Sequence, residues 1–249
     1  MSYPEIIILI ITGMAIGSFT NNLMNLFTGR GFDWKRSSCS CGERSLRYTE
    51  LFPVVTYLVF RGRCTECKRK IPIRYLVVEV IFPVLFLLLY DPGHFLISVY
   101  LIVLSWLFVI ISVVDLEKFI IPDSILLSGF IIELVFRFSE GKAFTDNLGM
   151  AIIVFLAFIA IKYIVIKLKR VDPLGWGDIK FFLLLVYIFG IVNFLTGLWV
   201  ASILGLLLKR VTQRENLIPF GFFLGSVFLI FLIGQYNFEK ILLKWLTIQ

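Results

Sequence analysis

Two aspartates, Asp115 and Asp178, stand at the ends of long apolar stretches. Asp115 ends the run Ile-Ser-Val-Val-Asp, and Asp178 lies in the motif Gly175-Trp-Gly177-Asp178-Ile-Lys180. Two carboxylates that share one proton can hydrolyse an amide, because the ionised one activates a water and the protonated one polarises the carbonyl. The spacing alone leaves a second interpretation open, in which both are helix-end aspartates that simply face the cytosol.

Four neighbours are expected to support such a site. Gly175 and Gly177 allow a tight backbone bend just before the helix that Asp178 opens, and Lys180 follows in the same motif. Asp123 comes directly after Pro122, which fits the first turn of a helix. Its carboxylate would meet the positive end of the helix dipole there, so we interpret Asp123 as a cap.

All four cysteines lie in one polar segment, residues 27–74. Cys39-Ser-Cys41 and Cys64-Thr-Glu-Cys67 form two close pairs separated by 22 residues. Four thiolates in two such pairs predict a structural zinc site, which a segment this small and this polar needs in order to fold. Two disulfides or four free thiols remain as alternatives, although a reducing cytosol disfavours the disulfides.

The composition places these groups in a membrane protein. Of 249 residues, 59% are hydrophobic and 16% are charged, against about 45–50% and about 25% in soluble domains, and the mean hydropathy is +0.94. A soluble enzyme, a disordered chain and a small secreted disulfide-rich protein are therefore excluded. The apolar stretches are continuous rather than alternating, which argues against an outer-membrane barrel.

The expected fold is an all-α polytopic membrane protein with about eight transmembrane helices and a small zinc-stapled module between the first two. Each span needs roughly 20 apolar residues. Gly190 marks the weakest boundary between spans, since the sixth and seventh spans could form one kinked segment. The predicted spans are 5–26, 75–90, 95–115, 120–138, 144–168, 178–190, 192–208 and 218–236.

Two further features are predicted from the pattern of residues. Gly13 and Gly17 predict a helix-packing face on the first span. Residues 238–249 predict a short helix at the membrane surface.

The distribution of basic residues predicts the orientation. The 27–74 segment holds eleven basic and four acidic residues, so it carries the whole net charge of +7. With this segment in the cytoplasm, that side has twenty Lys and Arg residues and the other side has four, as the positive-inside rule requires. Both termini then lie outside. The basic segment would bind anionic membrane lipid, at about 1 kcal/mol per basic residue near the surface.

The order of motifs along the chain resembles the type IV prepilin peptidases, the leader peptidases and N-methyltransferases of type IV pili and type II secretion. Each motif alone is a weak signal, and the resemblance depends on their occurring in order over nearly the whole chain. The motifs are Gly17-Ser-Phe-Thr-Asn-Asn22, Arg61-Gly-Arg-Cys64-Thr-Glu-Cys67 continuing to Ile73-Arg-Tyr-Leu-Val-Val-Glu79, Asp115-Leu-Glu117 with Ile121-Pro-Asp123, Gly175-Trp-Gly177-Asp178-Ile-Lys180 and Ile218-Pro-Phe-Gly221.

The resemblance implies an intramembrane aspartyl protease of the bacterial cytoplasmic (inner) membrane, with Asp115 and Asp178 as the dyad. Its substrates would be prepilins or pseudopilins, cut after a Gly at the cytoplasmic end of their hydrophobic segment; no nucleic-acid partner is expected. It also implies methylation of the new amino terminus with S-adenosylmethionine. The implied division is a first transmembrane helix (1–26), a cytoplasmic cysteine module associated with methylation (27–74) and a peptidase domain (75–249).

Two departures from the family pattern bear on the cysteine module. The first cysteine pair is Cys-x-Cys where the family usually has Cys-x-x-Cys, and Arg47-Tyr-Thr-Glu-Leu-Phe-Pro53 lacks the usual Asp/Asn-rich lead into the proline. Both leave zinc geometry and methyltransferase activity open. No Gly-rich strand-to-helix signature places the S-adenosylmethionine site. A peptidase without methyltransferase activity is therefore an alternative.

Two other protein classes predict different features. A transporter or proton channel would carry its acids deep in the spans and show an inverted repeat, whereas the key acids here cluster at one face and no repeat is evident in the sequence. A non-catalytic membrane anchor that presents a zinc module would leave both aspartates replaceable. Substitution of the aspartates therefore separates the peptidase from both.

Overall fold

The computed structural model describes residues 2–29, 57, 62, 63, 68, 70–212 and 219–246. Side chains are described up to Lys209 in the range 70–212 and up to Tyr236 in the range 219–246. Within these ranges the chain forms seven α-helices and no β-strand. The helices are α1 (Tyr3–Phe27), α2 (Ile73–Leu89), α3 (Phe95–Lys118), α4 (Asp123–Ser139), α5 (Leu148–Lys169), α6 (Trp176–Thr212) and α7 (Phe220–Leu246), with a 3-10 turn at Pro92–His94 before α3.

The helices are those of a polytopic membrane protein. Among the described residues, four helical segments are long and apolar enough to cross a membrane: α1, Pro92–Lys118, α5 and Trp176–Lys209. Phe220–Tyr236 is a shorter apolar stretch. The helices α2 and α4 have 17 residues each, a length of about 25 Å. The predicted all-α, multi-pass class is confirmed, and the count of eight spans stays a prediction.

The chain divides into two compact units, Met1–Ile102 and Val103–Gln249. In the first unit, α1 packs closely along α2. A Cβ on Gly13 would lie 2.6 Å from Cα of Pro83, and one on Gly17 would lie 2.8 Å from Cα of Glu79. Any larger residue at either position would push the helices apart, so the packing face predicted for the first span is confirmed.

Polar side chains join the same two helices. The buried carboxylate of Glu79 on α2 is hydrogen-bonded by the side chains of Ser18 and Asn21 on α1. Nearer the start of α2, Arg74 donates to Oδ1 of Asn25 across 2.8 Å. Because a charged group in an apolar setting is costly without partners, these contacts fix the register of α1 against α2.

In the second unit, α6 turns sharply at Gly190. This residue has φ 77° and ψ 169° inside the helix, a conformation open chiefly to glycine. The rings of Phe182 and Phe194 lie 5.4 Å apart, although twelve residues of straight helix span about 18 Å. The weakest boundary in the sequence is therefore a real break, with helix on both sides of it.

A buried arginine, Arg137, binds a backbone carbonyl at the end of the first half of α6. The break at Gly190 interrupts the helical hydrogen-bond ladder next to Tyr187, and Arg137 of α4 donates Nη2 to the Tyr187 carbonyl across 2.8 Å. Its Nε donates to Glu133 across 2.6 Å, and both side chains are buried. Arg137 thus satisfies a backbone carbonyl and neutralises an acid in apolar surroundings, as such acids require.

The last helix is longer than the sequence predicts. α7 is continuous from Phe220 to Leu246, whereas the sequence analysis ends a span at residue 236 and starts a separate surface helix near 238. That separation is wrong, because residues 235–246 contain no Gly or Pro that would end a helix.

Candidate active site

Asp115 lies near the C-terminal end of α3 and is 5% exposed. Its Oδ2 accepts a hydrogen bond from the backbone N–H of Phe222 across 2.9 Å, and the amide of Gly221 also interacts with it. Both amides belong to the first turn of α7, where backbone N–H groups have no partner within the helix. The carboxylate therefore caps α7 at the positive end of its dipole.

Asp178 lies in the first turn of α6 and is partly exposed. The backbone amide of Gly175 is hydrogen-bonded to its carboxylate, and a Cβ on Gly175 would lie 3.0 Å from Oδ2 of Asp178. Neither Gly175 nor Gly177 has a positive φ, so neither position uses the left-handed conformation that favours glycine. Gly175 is required because the carboxylate occupies the space a side chain would fill.

Ile121 connects the three motifs of the second unit. It lies between α3 and α4, and a Cβ on Gly177 would come within 3.1 Å of Cβ of Ile121. A Cβ on Gly221 would come within 3.0 Å of its Cδ1. The starts of α6 and α7 therefore both press against Ile121, and glycine is needed at each point of contact.

The two aspartates come together at this place. They are 63 positions apart in the sequence, and in the folded chain both lie beside the Ile121 contacts of Gly177 and Gly221, close enough for the charge of Asp178 to act on Asp115. Each carboxylate is held by backbone amides from a glycine-containing segment. A buried and a partly exposed carboxylate side by side can share one proton, as the chemistry proposed from their residue types requires.

The two charged supporting residues form an ion pair at the edge of the site. Nζ of Lys180 lies 2.8 Å and 2.7 Å from the two carboxylate oxygens of Asp123. Asp123 occupies the first turn of α4, as predicted, and Lys180 belongs to the first turns of α6. Both side chains are exposed, at 70% and 43%. The pair joins the starts of two helices on the solvent side.

Sequence reasoning missed Lys162, a buried residue of α5 that binds the loop before Asp178. Its side chain is 3% exposed, and Nζ lies 2.8 Å from the carboxylate of Asp172. The same ammonium donates to the carbonyl of Leu174 and holds the pKa of the exposed Asp172 carboxyl below its usual range. A lysine inside a predicted span was the available signal, because charge within a span tends to be functional.

The predicted zinc ligands Cys39, Cys41, Cys64 and Cys67 lie outside the described residues. Within the described part of the chain, no group of three or more His, Cys, Asp or Glu residues could hold a metal ion. The described residues on either side of the second pair do approach one another. Arg63 and Lys70 form an antiparallel bridge, and the N–H of Ile71 donates to the Gly62 carbonyl across 2.8 Å.

Comparison with known families finds two matching models. Residues 11–91 match the bacterial peptidase A24 N-terminal domain, and residues 101–209 match the type IV leader peptidase family. Asp115 and Asp178 both fall in the second match, and Glu79 falls in the first. No solved structure gives a significant match.

Individual relatives are similar over most of the chain. A prepilin leader peptidase/N-methyltransferase of Pseudomonas putida is 29% identical over 76% of this chain and 68% of its own. A type 4 prepilin-like proteins leader peptide-processing enzyme of Escherichia coli O78:H11 is 28% identical over 79% and 76%. A prepilin leader peptidase/N-methyltransferase of Vibrio cholerae is 27% identical over 81% and 84%.

Proposed function

Since this chain belongs to the type IV leader peptidase family, we propose that it is an intramembrane aspartyl endopeptidase whose reaction is carried out by Asp115 and Asp178. The observation that carries the proposal is that both aspartates lie at the Ile121 contacts of Gly177 and Gly221, close enough for the charge of Asp178 to act on Asp115. Each is also held by backbone amides, so both are aimed before a substrate arrives. Such preorganisation is what hydrolysis by a carboxylate pair requires.

The dyad shares one proton in the proposed reaction. The ionised carboxylate takes a proton from a water molecule, whose oxygen attacks the scissile carbonyl carbon, while the protonated carboxyl gives its proton to the carbonyl oxygen. Collapse of the resulting tetrahedral diol breaks the C–N bond: the departing nitrogen takes a proton from the protonated carboxyl, while one hydroxyl of the diol gives its proton to the ionised carboxylate. One shared proton remains at the end, so the pair is ready for the next turnover.

The proposed substrates are prepilins or pseudopilins, cleaved after the Gly that ends their leader. The related proteins carry names that specify prepilin or prepilin-like processing. Such a substrate is itself a hydrophobic helix, so a site at the ends of α3 and α6 can receive it sideways from the lipid. In the cytoplasmic membrane the site would then lie at the inner face, where the cleavage point of the precursor sits.

We place the chain in the membrane with eight passes and both termini outside. The sharp turn at Gly190 supports the assignment of α6 to two passes, because its two halves approach each other at Phe182 and Phe194. With the segment 27–74 in the cytoplasm, twenty of the 24 Lys and Arg residues lie on that side. The ends of α3 and α6 that carry the dyad face the same side.

Methylation of the new amino terminus is the second proposed activity. The names of the relatives in Pseudomonas putida and Vibrio cholerae include N-methyltransferase, and S-adenosylmethionine is the methyl donor that such an activity would use. The alternative is a peptidase without methyltransferase activity. A methyl group on the amino terminus released by cleavage would distinguish the bifunctional enzyme from a peptidase without methyltransferase activity.

A structural zinc ion held by Cys39, Cys41, Cys64 and Cys67 is proposed for the cysteine module. The pairing of Arg63 with Lys70 supports it, because this contact brings together the chain on both sides of Cys64 and Cys67. Lys68, directly after Cys67, has a φ of 54°, so the chain bends where it leaves the second cysteine. Four thiolates in two close pairs are the ligand set of a tetrahedral structural zinc site.

The test of the peptidase is substitution of each aspartate in the full-length protein. Asp115→Asn and Asp178→Asn should each abolish cleavage of a prepilin-like substrate in liposomes, read by mass spectrometry. Asp146→Asn, at an exposed position outside the pair, is the matched control and should cleave normally. Cleavage that survives in both dyad variants would show that the protein is not an aspartyl peptidase. Methylation that persists with a pre-cleaved substrate would show that the two activities use separate sites.

A further inference from the structure

Lys162 is an unusual residue for its position on α5. Of the 22 residues of this helix, the buried ones are Ala151, Val154 and Lys162, and Lys162 is 2% exposed. Lysine is almost never fully buried unless it is paired, and desolvation of an ammonium is costly without good partners. A helix that otherwise exposes nearly all of its side chains therefore retains a buried charge, and its contacts explain why.

The contacts of Lys162 all lie on the loop that leads into α6. Its Nζ is 2.8 Å from the Asp172 carboxylate and donates to the Leu174 carbonyl. It also stands 4.9 Å from the centre of the Trp176 ring, within range of a cation–π contact. One ammonium thus binds a side chain, a backbone carbonyl and a ring within five consecutive residues.

The loop that Lys162 binds leads directly to Asp178. The Leu174 carbonyl that Lys162 binds is adjacent to Gly175, whose amide is hydrogen-bonded to the Asp178 carboxylate. The Leu174 amide is itself bound by Asp172 across 3.3 Å. The charge of Lys162 also interacts directly with Asp178. The position of this carboxylate therefore depends on a lysine sixteen residues earlier in the sequence.

We propose that Lys162 is a positioning residue of the peptidase: it fixes the loop of Asp172 and Leu174 so that Asp178 meets Asp115 at the distance the reaction needs. The proposal rests on the dyad proposed above. A misplacement of about 1 Å in a catalytic group can reduce turnover about 100-fold. Release of this loop should therefore slow the chemical step more than it weakens substrate binding.

The test compares Lys162→Met, Asp172→Asn and the double variant in the full-length protein in liposomes. Each single change should lower kcat about 10–100-fold and leave KM within about twofold, and the double variant should be no worse than the more severe single one, because both changes release the same loop. Lys167→Met, at an exposed position on the same helix, is the matched control and should behave as wild type. Lys162→Arg should recover part of the lost kcat, since the guanidinium keeps the charge and the donors.

Lys162→Met leaves Asp172 without its partner, but this carboxylate is 59% exposed and water can solvate it. The variant should therefore keep its thermal midpoint while kcat falls, whereas a purely structural role of Lys162 predicts that both fall together. A kcat at the wild-type value in Lys162→Met, or a loss of kcat that follows the loss of thermal stability across the series, would overturn the proposal. Asp172→Asn changes a residue on the solvent side, so it provides the same measurement if Lys162→Met fails to fold.

Hydrogen exchange separates this proposal from the dyad on which it rests. In Lys162→Met and in Asp172→Asn, the backbone amides of Leu174, Gly175 and Trp176 should exchange faster, while those at the start of α7 around Phe222 should be unchanged. Unchanged exchange in the loop would overturn the role of Lys162 even if Asp115→Asn and Asp178→Asn are inactive. Faster loop exchange together with active Asp→Asn variants would instead show that the dyad assignment is at fault.

Discussion

The backbone N–H of Phe222 donates a hydrogen bond to Oδ2 of Asp115 across 2.9 Å. These residues are 107 positions apart, and the contact places the first turn of α7 against the end of α3. The buried carboxylate of Asp115 thereby gains a polar partner, and this partner is a backbone amide rather than a charged side chain. Gly221 and Phe222, which carry no titratable group, thus act on the candidate dyad through their backbone amides at the helix start.

Gly221→Ala should damage the dyad without unfolding the protein. A Cβ at this position would lie 3.0 Å from both Cγ and Oδ2 of Asp115, so the carboxylate or the start of α7 must shift. Such overpacking costs about 1–3 kcal/mol, and we expect kcat for prepilin cleavage to fall about 10–100-fold. The measurement is steady-state cleavage in liposomes together with the thermal midpoint.

Gly234→Ala is the control for that substitution. Gly234 lies on the same helix, and a Cβ there would meet no atom within 4 Å among the described residues. An alanine inside a helix is favoured over glycine by about 0.5–1 kcal/mol, so this variant should be fully active and at least as stable as the wild type. Equal activity of Gly221→Ala and Gly234→Ala would contradict the close contact with Asp115.

The exposed ion pair between Lys180 and Asp123 should matter little. Both side chains are well exposed, and such pairs contribute about 0–1 kcal/mol. Lys180→Ala and Asp123→Ala should each change cleavage by less than about fivefold, and added salt should reduce even that effect. A loss of 100-fold or more in Lys180→Ala would show that this lysine contacts the reacting groups rather than its ion-pair partner.

The buried pair of Glu133 and Arg137 should be far more costly to break. Both side chains are almost fully buried, and loss of one partner of a buried pair costs about 3–5 kcal/mol. Arg137→Met should therefore lower unfolding stability by about that amount, because it leaves the Glu133 carboxylate and the Tyr187 carbonyl without this donor. Chemical unfolding in detergent measures the change, with Lys169→Met, an exposed position on α5, as the control.

A second variant tests the reason for that cost. Glu133→Gln combined with Arg137→Met removes the buried negative charge, so the double variant should recover part of the stability lost in Arg137→Met alone. The Tyr187 carbonyl loses the Arg137 donor in both and keeps only the longer contact from Nδ2 of Asn147, at 3.4 Å, so recovery should be incomplete. A double variant that is less stable than Arg137→Met would contradict the pairing as the source of the cost.

The sequence predicted the helices well where the apolar pattern decides their limits. The second span is predicted at 75–90, and the helix is Ile73–Leu89. The helix-end positions of Asp115 and Asp178 predict a pair only if their two spans are neighbours, and their catalytic role stays a prediction. The sequence predicts a role for Gly175 and Gly177 from backbone freedom alone, but glycine also occurs where a side chain has no room. Only the neighbours, a carboxylate and Ile121, distinguish the two uses.

Lys162 and Arg137 escaped the sequence analysis for different reasons. In the sequence, Lys162 is only one of the basic residues assigned to the cytoplasmic side. Its partners Asp172 and Leu174 lie in the loop between α5 and α6, and the sequence does not give the path of that loop. The pairing of Arg137 with Glu133 was readable at a spacing of four residues. Its bond to the Tyr187 carbonyl depends on the positive φ of Gly190, which no local pattern predicts.

The cysteine module should contain metal. Four thiolates in two close pairs should bind about one zinc ion per chain, measured by elemental analysis of the purified protein. Cys64→Ser and Cys67→Ser should each lower that content strongly, whereas cleavage by the dyad should persist if the peptidase unit folds independently. A zinc content near zero together with four titratable thiols would exclude the site.

The pH dependence of the loop before Asp178 follows from the contact of Lys162 with Asp172. The Lys162 ammonium lowers the pKa of the Asp172 carboxyl in the folded protein. A group whose pKa is lowered by folding stabilises the folded state at a pH above its ordinary value, and this contribution disappears as the pH falls through the lowered value. The contact should therefore be complete at neutral pH and lost only in acid.

A direct titration of Asp172 tests this sign. Carboxyl carbon NMR of aspartate-labelled protein, with the signal assigned by its loss in Asp172→Asn, should give a midpoint below the ordinary range of an aspartate. In Lys162→Met the midpoint should return to that range, and in Lys167→Met it should not move. A midpoint that is the same with and without Lys162 would show that another group holds the loop, and the proximity of Lys162 to Asp172 would then have no energetic consequence.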